Sequence, residues 1–141
     1  MTTGSFRNCA NLKGAVSISN GVPGFFRGPQ YRKVAPRWEM LKMEQADYDR
    51  EFNLILEKLD PKEVYRDLVR LGGEDAILLC WEKPNAPCHR RRVAEWLEEV
   101  LGIVITEYGM ERNQVYPYFG PRPEPQPPQV KENEKKQLDL F

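Results

Sequence analysis

Ala76-Ile77-Leu78-Leu79-Cys80-Trp81 is an unbroken apolar run set between polar, turn-forming neighbours. It is too short for an independent helix, and it lacks the alternation of a strand with one wet face. It reads as a strand buried on both faces, which is how strands sit in a parallel sheet covered by helices. The flanking segments supply those helices. Asp60-Pro61-Lys62-Glu63 carries an N-cap acid, a proline at the first helical position and a glutamate three residues after the cap. Val64, Leu68 and Leu71 then face inward until Gly72-Gly73 stops the helix. A helix is also expected from Asp47 to about Leu59, with Tyr48, Phe52, Ile55, Leu56 and Leu59 as its apolar stripe. Another is expected from about His89 to Leu101, with Val93, Trp96, Leu97 and Val100 inward and Gly102 at its end. Leu12–Ser19 and Ile103–Thr106 read as further strands. Helices between strands predict a small α/β domain with a mostly parallel sheet flanked by helices.

A chain of 141 residues, 40% apolar and 30% charged, has enough apolar material for one such domain. The formal net charge is zero, so bulk charge does not attract nucleic acid and only local patches would. No apolar run is long enough to cross a membrane and no apolar leader opens the chain, so no membrane association is expected. Three cysteines without secretory context fit reduced thiols in a cytoplasm.

Chemistry concentrates between Cys80 and Arg92, which holds two of the three cysteines and the one histidine. This stretch leaves the C-terminal end of the buried strand and enters a helix, the edge where open α/β sheets bind ligands. Cys88, His89 and Arg90 fall at the helix start, where exposed N–H groups and the dipole favour anions and thiolates. Cys88, His89 and Glu82 are therefore the candidate catalytic residues, and Lys83 and Arg90 the candidate phosphate or anion binders. Cys80, inside the apolar strand, reads as a small core residue, and Arg90-Arg91-Arg92 reads equally as a solvated first turn. A zinc set would have to draw on Cys9, Cys80, Cys88 and His89, whose spacing matches no finger, ribbon or knuckle, so no metal is expected. No glycine-rich phosphate loop is present. A phosphatase-type loop fails because Ala86 and Ala94 stand six residues after Cys80 and Cys88. No cofactor is indicated.

The segment from Asn20 to Trp38 is irregular, basic and aromatic, with no acid before Glu39. If the strand before it runs parallel to the buried one, it emerges at the same edge. Arg27, Tyr31, Arg32, Lys33 and Arg37 are the candidate nucleic-acid contacts, with Phe25, Phe26 or Tyr31 available for stacking.

Leu78-Leu79-Cys80-Trp81-Glu82-Lys83, followed by Pro87-Cys88-His89-Arg90, resembles the signature of the domain of unknown function numbered 488. Val16-Ser17-Ile18-Ser19 and Tyr31-Arg32-Lys33-Val34-Ala35-Pro36 are similar to one branch of that family. The resemblance spans about residues 3 to 108. It departs from the larger branch, which has Asp-Val-Arg where this chain has Ser17-Ile18-Ser19. It implies a compact α/β domain with a cleft at these motifs and no established reaction.

From Gly109 the composition changes. Six prolines fall between Pro117 and Pro128, and a charged run follows. Residues 1–108 are thus expected to form the α/β domain and 109–136 a disordered proline-rich linker. Residues 137–141 stand apart. Gln137-Leu138-Asp139-Leu140-Phe141 resembles the pentapeptide by which bacterial replication and repair proteins bind the sliding clamp, which implies that clamp as a partner. Together these features point to a DNA- or nucleotide-processing protein of a bacterium or its phage. It would be a cysteine or acid–base enzyme taking single-stranded DNA or nucleotides, tethered to the clamp at the nucleoid or replication fork. The competing expectation is a non-catalytic clamp-binding adaptor or regulator.

Overall fold

A computed structural model describes residues 1–82 and 88–119. In chain order its elements are β1 (Thr2–Ser5), α1 (Phe6–Cys9), β2 (Ala15–Ser17), α2 (Gln45–Glu57), α3 (Pro61–Gly72), β3 (Ile77–Cys80), α4 (His89–Leu101) and β4 (Thr106–Glu107). Short 3-10 turns occupy Arg32–Val34, Trp38–Lys42 and Arg112–Gln114. The four strands form one sheet in the order β2-β3-β1-β4, and every pairing is parallel. The chain is an α/β protein with a parallel sheet flanked by helices. No helix among the described residues is long and apolar enough to cross a membrane.

α3, α4 and β3 form for the reasons read from the sequence, whereas α2 begins at Gln45, before the expected Asp47, and Val100 of α4 faces out rather than inward. The Asp60 side chain accepts from the Lys62 N–H at 2.9 Å, with Pro61 opening α3 behind it. Gly102, at φ 67°, terminates α4 in the left-handed region that glycine enters without strain. β3 is buried along its whole length because both faces of the sheet are covered. On one face Val16, Ile18 and Leu78 meet Phe52, Leu56, Leu68 and Leu97 of the helices. On the other, Ala15, Ile77 and Leu79 meet Phe6, Cys9 and Phe26. Each large side chain so buried contributes about 1.5–3 kcal/mol.

In the strands and the domain boundary the structure departs from expectation in three further places. The sheet's interior holds an extra strand, β1, whose sequence Thr2-Thr3-Gly4-Ser5 is polar. It pairs with β3 from Thr2↔Ile77 to Ser5↔Cys80. It fits because Thr3 and Ser5 are small enough to bury, and because Gly4 lets Cys9 close in: a Cβ at Gly4 would lie 2.8 Å from the Cys9 sulfur. The other strands are shorter than expected or displaced, with β2 at Ala15–Ser17 and β4 at Thr106–Glu107.

The third departure corrects the domain boundary. Residues 109–119 are packed, not part of a linker. Val115 is buried, the Tyr118 hydroxyl donates to Asp49 at 2.5 Å, and the Tyr118 N–H donates to Glu95 at 2.9 Å. Residues 120–136 of the expected linker lie outside the described residues, as do Lys83 and the pentapeptide Gln137–Phe141.

The close approach of α3 to the start of β2 makes one position exacting. A Cβ at Gly72 would lie 2.7 Å from the Gly14 carbonyl oxygen and 2.7 Å from Val16 Cγ2. Gly72→Ala is expected to cost about 1–3 kcal/mol through this overlap. Urea unfolding followed by circular dichroism would measure it; an unchanged midpoint would mean that α3 does not approach β2 this closely.

Candidate functional site

β1, β2 and β3 end together at one edge of the sheet, and α4 begins there. A cavity of about 280 Å³ opens at this edge. Cys80, Cys88 and His89 are buried and form its floor, while Trp38, Tyr48, Trp81 and Tyr118 stand around it. Two of these walls are well exposed, Trp38 at 63% and Trp81 at 57%. Trp81 is nonetheless fixed: its indole N–H donates to the Gly21 carbonyl at 3.0 Å, and its ring meets Phe6 edge-on. Ser19, Asn20 and Gly21, which follow β2, complete one side. Asn20 is held by a hydrogen bond from its amide to the Pro36 carbonyl.

The chemistry at the floor begins with two sulfurs. Cys80 closes β3 and Cys88 is the N-cap residue of α4. Their sulfurs are in bonding contact, and their Cα atoms lie 7.3 Å apart. Cys80 is thus half of a pair at the cleft, not the simple core residue its strand position suggested. In contrast, Cys9 lies on the opposite face of the sheet, where burial, with Glu107 nearby, holds its thiol above its usual range.

His89 sits beside this pair. Its Nε2 lies 2.7 Å from the Ile18 carbonyl oxygen, which can only accept, so Nε2 carries the proton. Nδ1 then holds a lone pair, 3.7 Å from the Cys88 sulfur. Burial, with Arg90 alongside, pushes the ring down to about 4, so it is neutral at physiological pH. Phe52 packs edge-on against the imidazole and covers it.

The three arginines at the start of α4 are neither a solvated turn nor an anion seat. Successive helical residues point about 100° apart, so the triplet fans out and engages three neighbours. Arg90 is 1% exposed and forks onto Glu107 of β4, with Nε at 3.1 Å from Oε1 and Nη2 at 3.3 Å from Oε2. Its Nη1 reaches the Cys80 sulfur at 3.0 Å and the Glu82 carbonyl at 2.9 Å. A positive donor aimed at this sulfur would favour the thiolate once the pair is reduced. Arg91 is buried, donates to the Ile105 carbonyl at 2.6 Å and approaches Glu98. Arg92 donates to Asn53 at 3.0 Å and lies over the Phe119 ring.

The expected catalytic residues Cys88, His89 and Glu82 do meet at one cleft, with Glu82 exposed on its wall. The expected nucleic-acid contacts do not assemble there; none of Arg27, Tyr31, Arg32, Lys33 and Arg37 lines this cavity. Tyr31 is in the core, its hydroxyl donating to Asp67 at 2.7 Å. Arg37 pairs with Glu39 and Glu51 at 2.9 Å each. Arg27 faces a separate hollow beside Gly14 and Gly72, at the start of β2. Arg32 and Lys33 are exposed. The segment between β2 and α2 delivers apolar and aromatic groups to the cleft, and its cations go elsewhere.

The fold and site define a small parallel α/β domain with an aromatic-rimmed cleft over a Cys-Cys-His floor. No family model matches the chain, and no curated protein or solved structure is significantly similar to it.

Proposed function

We propose that this protein is a DNA- or nucleotide-processing enzyme, with chemistry at Cys80, Cys88 and His89, that is recruited to the bacterial sliding clamp through Gln137–Phe141. The observation that carries the first half is the cleft itself. Its walls carry four aromatic rings, two of them well exposed, and such rings can stack on a nucleobase. Its floor is a buried cysteine pair beside a neutral histidine with a free lone pair. Its volume of about 280 Å³ suits a single base or a nucleoside fragment better than a duplex. The second half rests on the pentapeptide, and the motif resemblance to the domain of unknown function numbered 488 agrees with a cleft at these residues.

The recognition mode differs from the one the sequence suggested. The cavity walls are mainly aromatic and apolar, so the substrate is held by stacking more than by phosphate pairing. Affinity should then depend weakly on salt. The test is mass analysis of single-stranded DNA and nucleoside pools incubated with wild-type protein and with Cys88→Ala. New products formed by the wild type, and reduced by at least about 100-fold in Cys88→Ala, are expected. Identical product profiles would leave the adaptor reading standing.

A further inference from the structure

The two sulfurs and the His89 imidazole lie within 4.8 Å of one another, and all three residues are buried. Thiolate and imidazole are the donors that soft divalent cations take. The placement of His89 is that of a metal ligand: its far nitrogen is tied to the Ile18 carbonyl, and its near nitrogen offers a lone pair toward Cys88. The 3.7 Å between Nδ1 and the Cys88 sulfur is about the edge of a tetrahedral shell with bonds of ~2.0–2.3 Å. The Cα atoms of Cys80 and Cys88, 7.3 Å apart, lie beyond the roughly 4.4–6.8 Å span that disulfides use. A backbone set this wide suits two sulfurs on either side of an ion. Independently, the Ser19 hydroxyl lines the same cleft, is buried and has no hydrogen-bond partner among the described residues. A polar ligand at the floor would satisfy it.

We propose that Cys80 Sγ, Cys88 Sγ and His89 Nδ1 bind one divalent cation of the zinc class, leaving a fourth position open to the cleft. The sulfurs are in bonding contact in this structure, so a dithiol-class reductant must first cleave the S–S bond with two electrons and two protons, itself becoming a disulfide. Each thiol so formed gives up one proton on binding and the neutral histidine gives up none. One dication plus two thiols therefore yields a centre of net charge zero and two released protons. A neutral centre is tolerated at a buried floor where an isolated dication would not be. Arg90, already balanced by Glu107, completes the outer shell by donating to the Cys80 sulfur. Cys9, on the far face of the sheet, takes no part. Sequence spacing concealed the site because two ligands are adjacent in the chain and the third arrives from a strand end.

An open fourth position is the mark of a catalytic rather than a structural zinc site. Water there would ionise near neutral pH, and Glu82 on the cleft wall is the group available to accept its proton. This deepens the functional reading by making Cys88 a ligand and the reaction class hydrolytic. The binding of the ion does not depend on which substrate enters or on the clamp.

The test uses full-length protein, reduced and freed of metal with a chelator, and does not read activity. Titration with Co(II) should give tetrahedral visible bands and sulfur-to-cobalt charge transfer in the near ultraviolet, saturating at one ion per chain. Zn(II) should displace the cobalt. It should protect Cys80 and Cys88 together from iodoacetamide, with Cys9 labelling unchanged in the mapped peptides. Cys88→Ser should weaken binding by more than the roughly 10–100-fold typical of an outer-shell change. Octahedral cobalt bands, protection of neither or only one of the two thiols, or equal binding by Cys88→Ser would overturn the proposal. The wild-type spectrum and labelling decide the matter even if the variant fails to fold.

Discussion

Glu107→Ala is expected to destabilise the protein by about 3–5 kcal/mol, because it leaves the Arg90 guanidinium charged and buried without its carboxylate. The pair is almost inaccessible, with side-chain exposures of 1% and 3%, and the fork geometry satisfies two donors at once. A domain of this size loses roughly 3–5 °C of melting temperature per kcal/mol, so the drop should be about 9–25 °C. The reciprocal Arg90→Ala should cost a similar amount and also removes the donor on the Cys80 sulfur. The double change Arg90→Met, Glu107→Leu separates the charge effect from packing. It removes both charges, keeps most of the volume and should recover most of the stability. Calorimetry on the single and double variants checks this. A Glu107→Ala protein that melts within about 3 °C of wild type would mean that the pair is hydrated rather than sealed between α4 and β4.

This pair also shows where sequence reasoning stops. α3 and α4 were legible nearly to the residue because their limits are local chemistry: the Asp60 cap with Pro61, and the stops at Gly73 and Gly102. β3 was legible because burial on both faces demands a continuous apolar run. β1 was not, because a strand inside a sheet can be made of small polar residues when its neighbours supply the apolar area, and Thr2-Thr3-Gly4-Ser5 carries no hydrophobic signal. The cleft's position at the strand ends followed from parallel topology, and so did the meeting of Cys88, His89 and Glu82. The fates of Arg90 and Tyr31 did not follow. Both were expected at the surface on chemical type, and both are buried against acids that stand 17 and 36 residues away, Glu107 and Asp67. Nothing local marks a long-range pair of that kind. The packing of 109–119 was hidden for a related reason: its anchors are few, and Tyr118 finds Asp49 and Glu95 on two different helices.

The largest expected effect on binding lies in the last residues of the sequence, outside the described structure. Leu140→Ala with Phe141→Ala should abolish binding to a bacterial sliding clamp. If Leu138, Leu140 and Phe141 enter an apolar groove, each contributes about 1.5–3 kcal/mol when fully buried, while Gln137 hydrogen-bonds beside them. Ordering the peptide offsets much of that gain, so an affinity near micromolar is expected for the isolated segment. Truncating two of the three anchors removes about 3–6 kcal/mol, a loss of at least 100-fold, which places the variant beyond detection. The core described here is closed without these residues: the sheet is covered on both faces and Val115 and Tyr118 are already docked. The double variant should therefore melt at the wild-type temperature. Titrating a purified bacterial clamp with both proteins by calorimetry, alongside thermal denaturation of each, separates the outcomes. Equal affinities would remove the clamp from the proposed function. A large fall in melting temperature would mean that Leu140 and Phe141 pack on the domain instead. Loss of binding at unchanged stability is the expected result, and it would assign the clamp contact to the tail rather than to the folded domain.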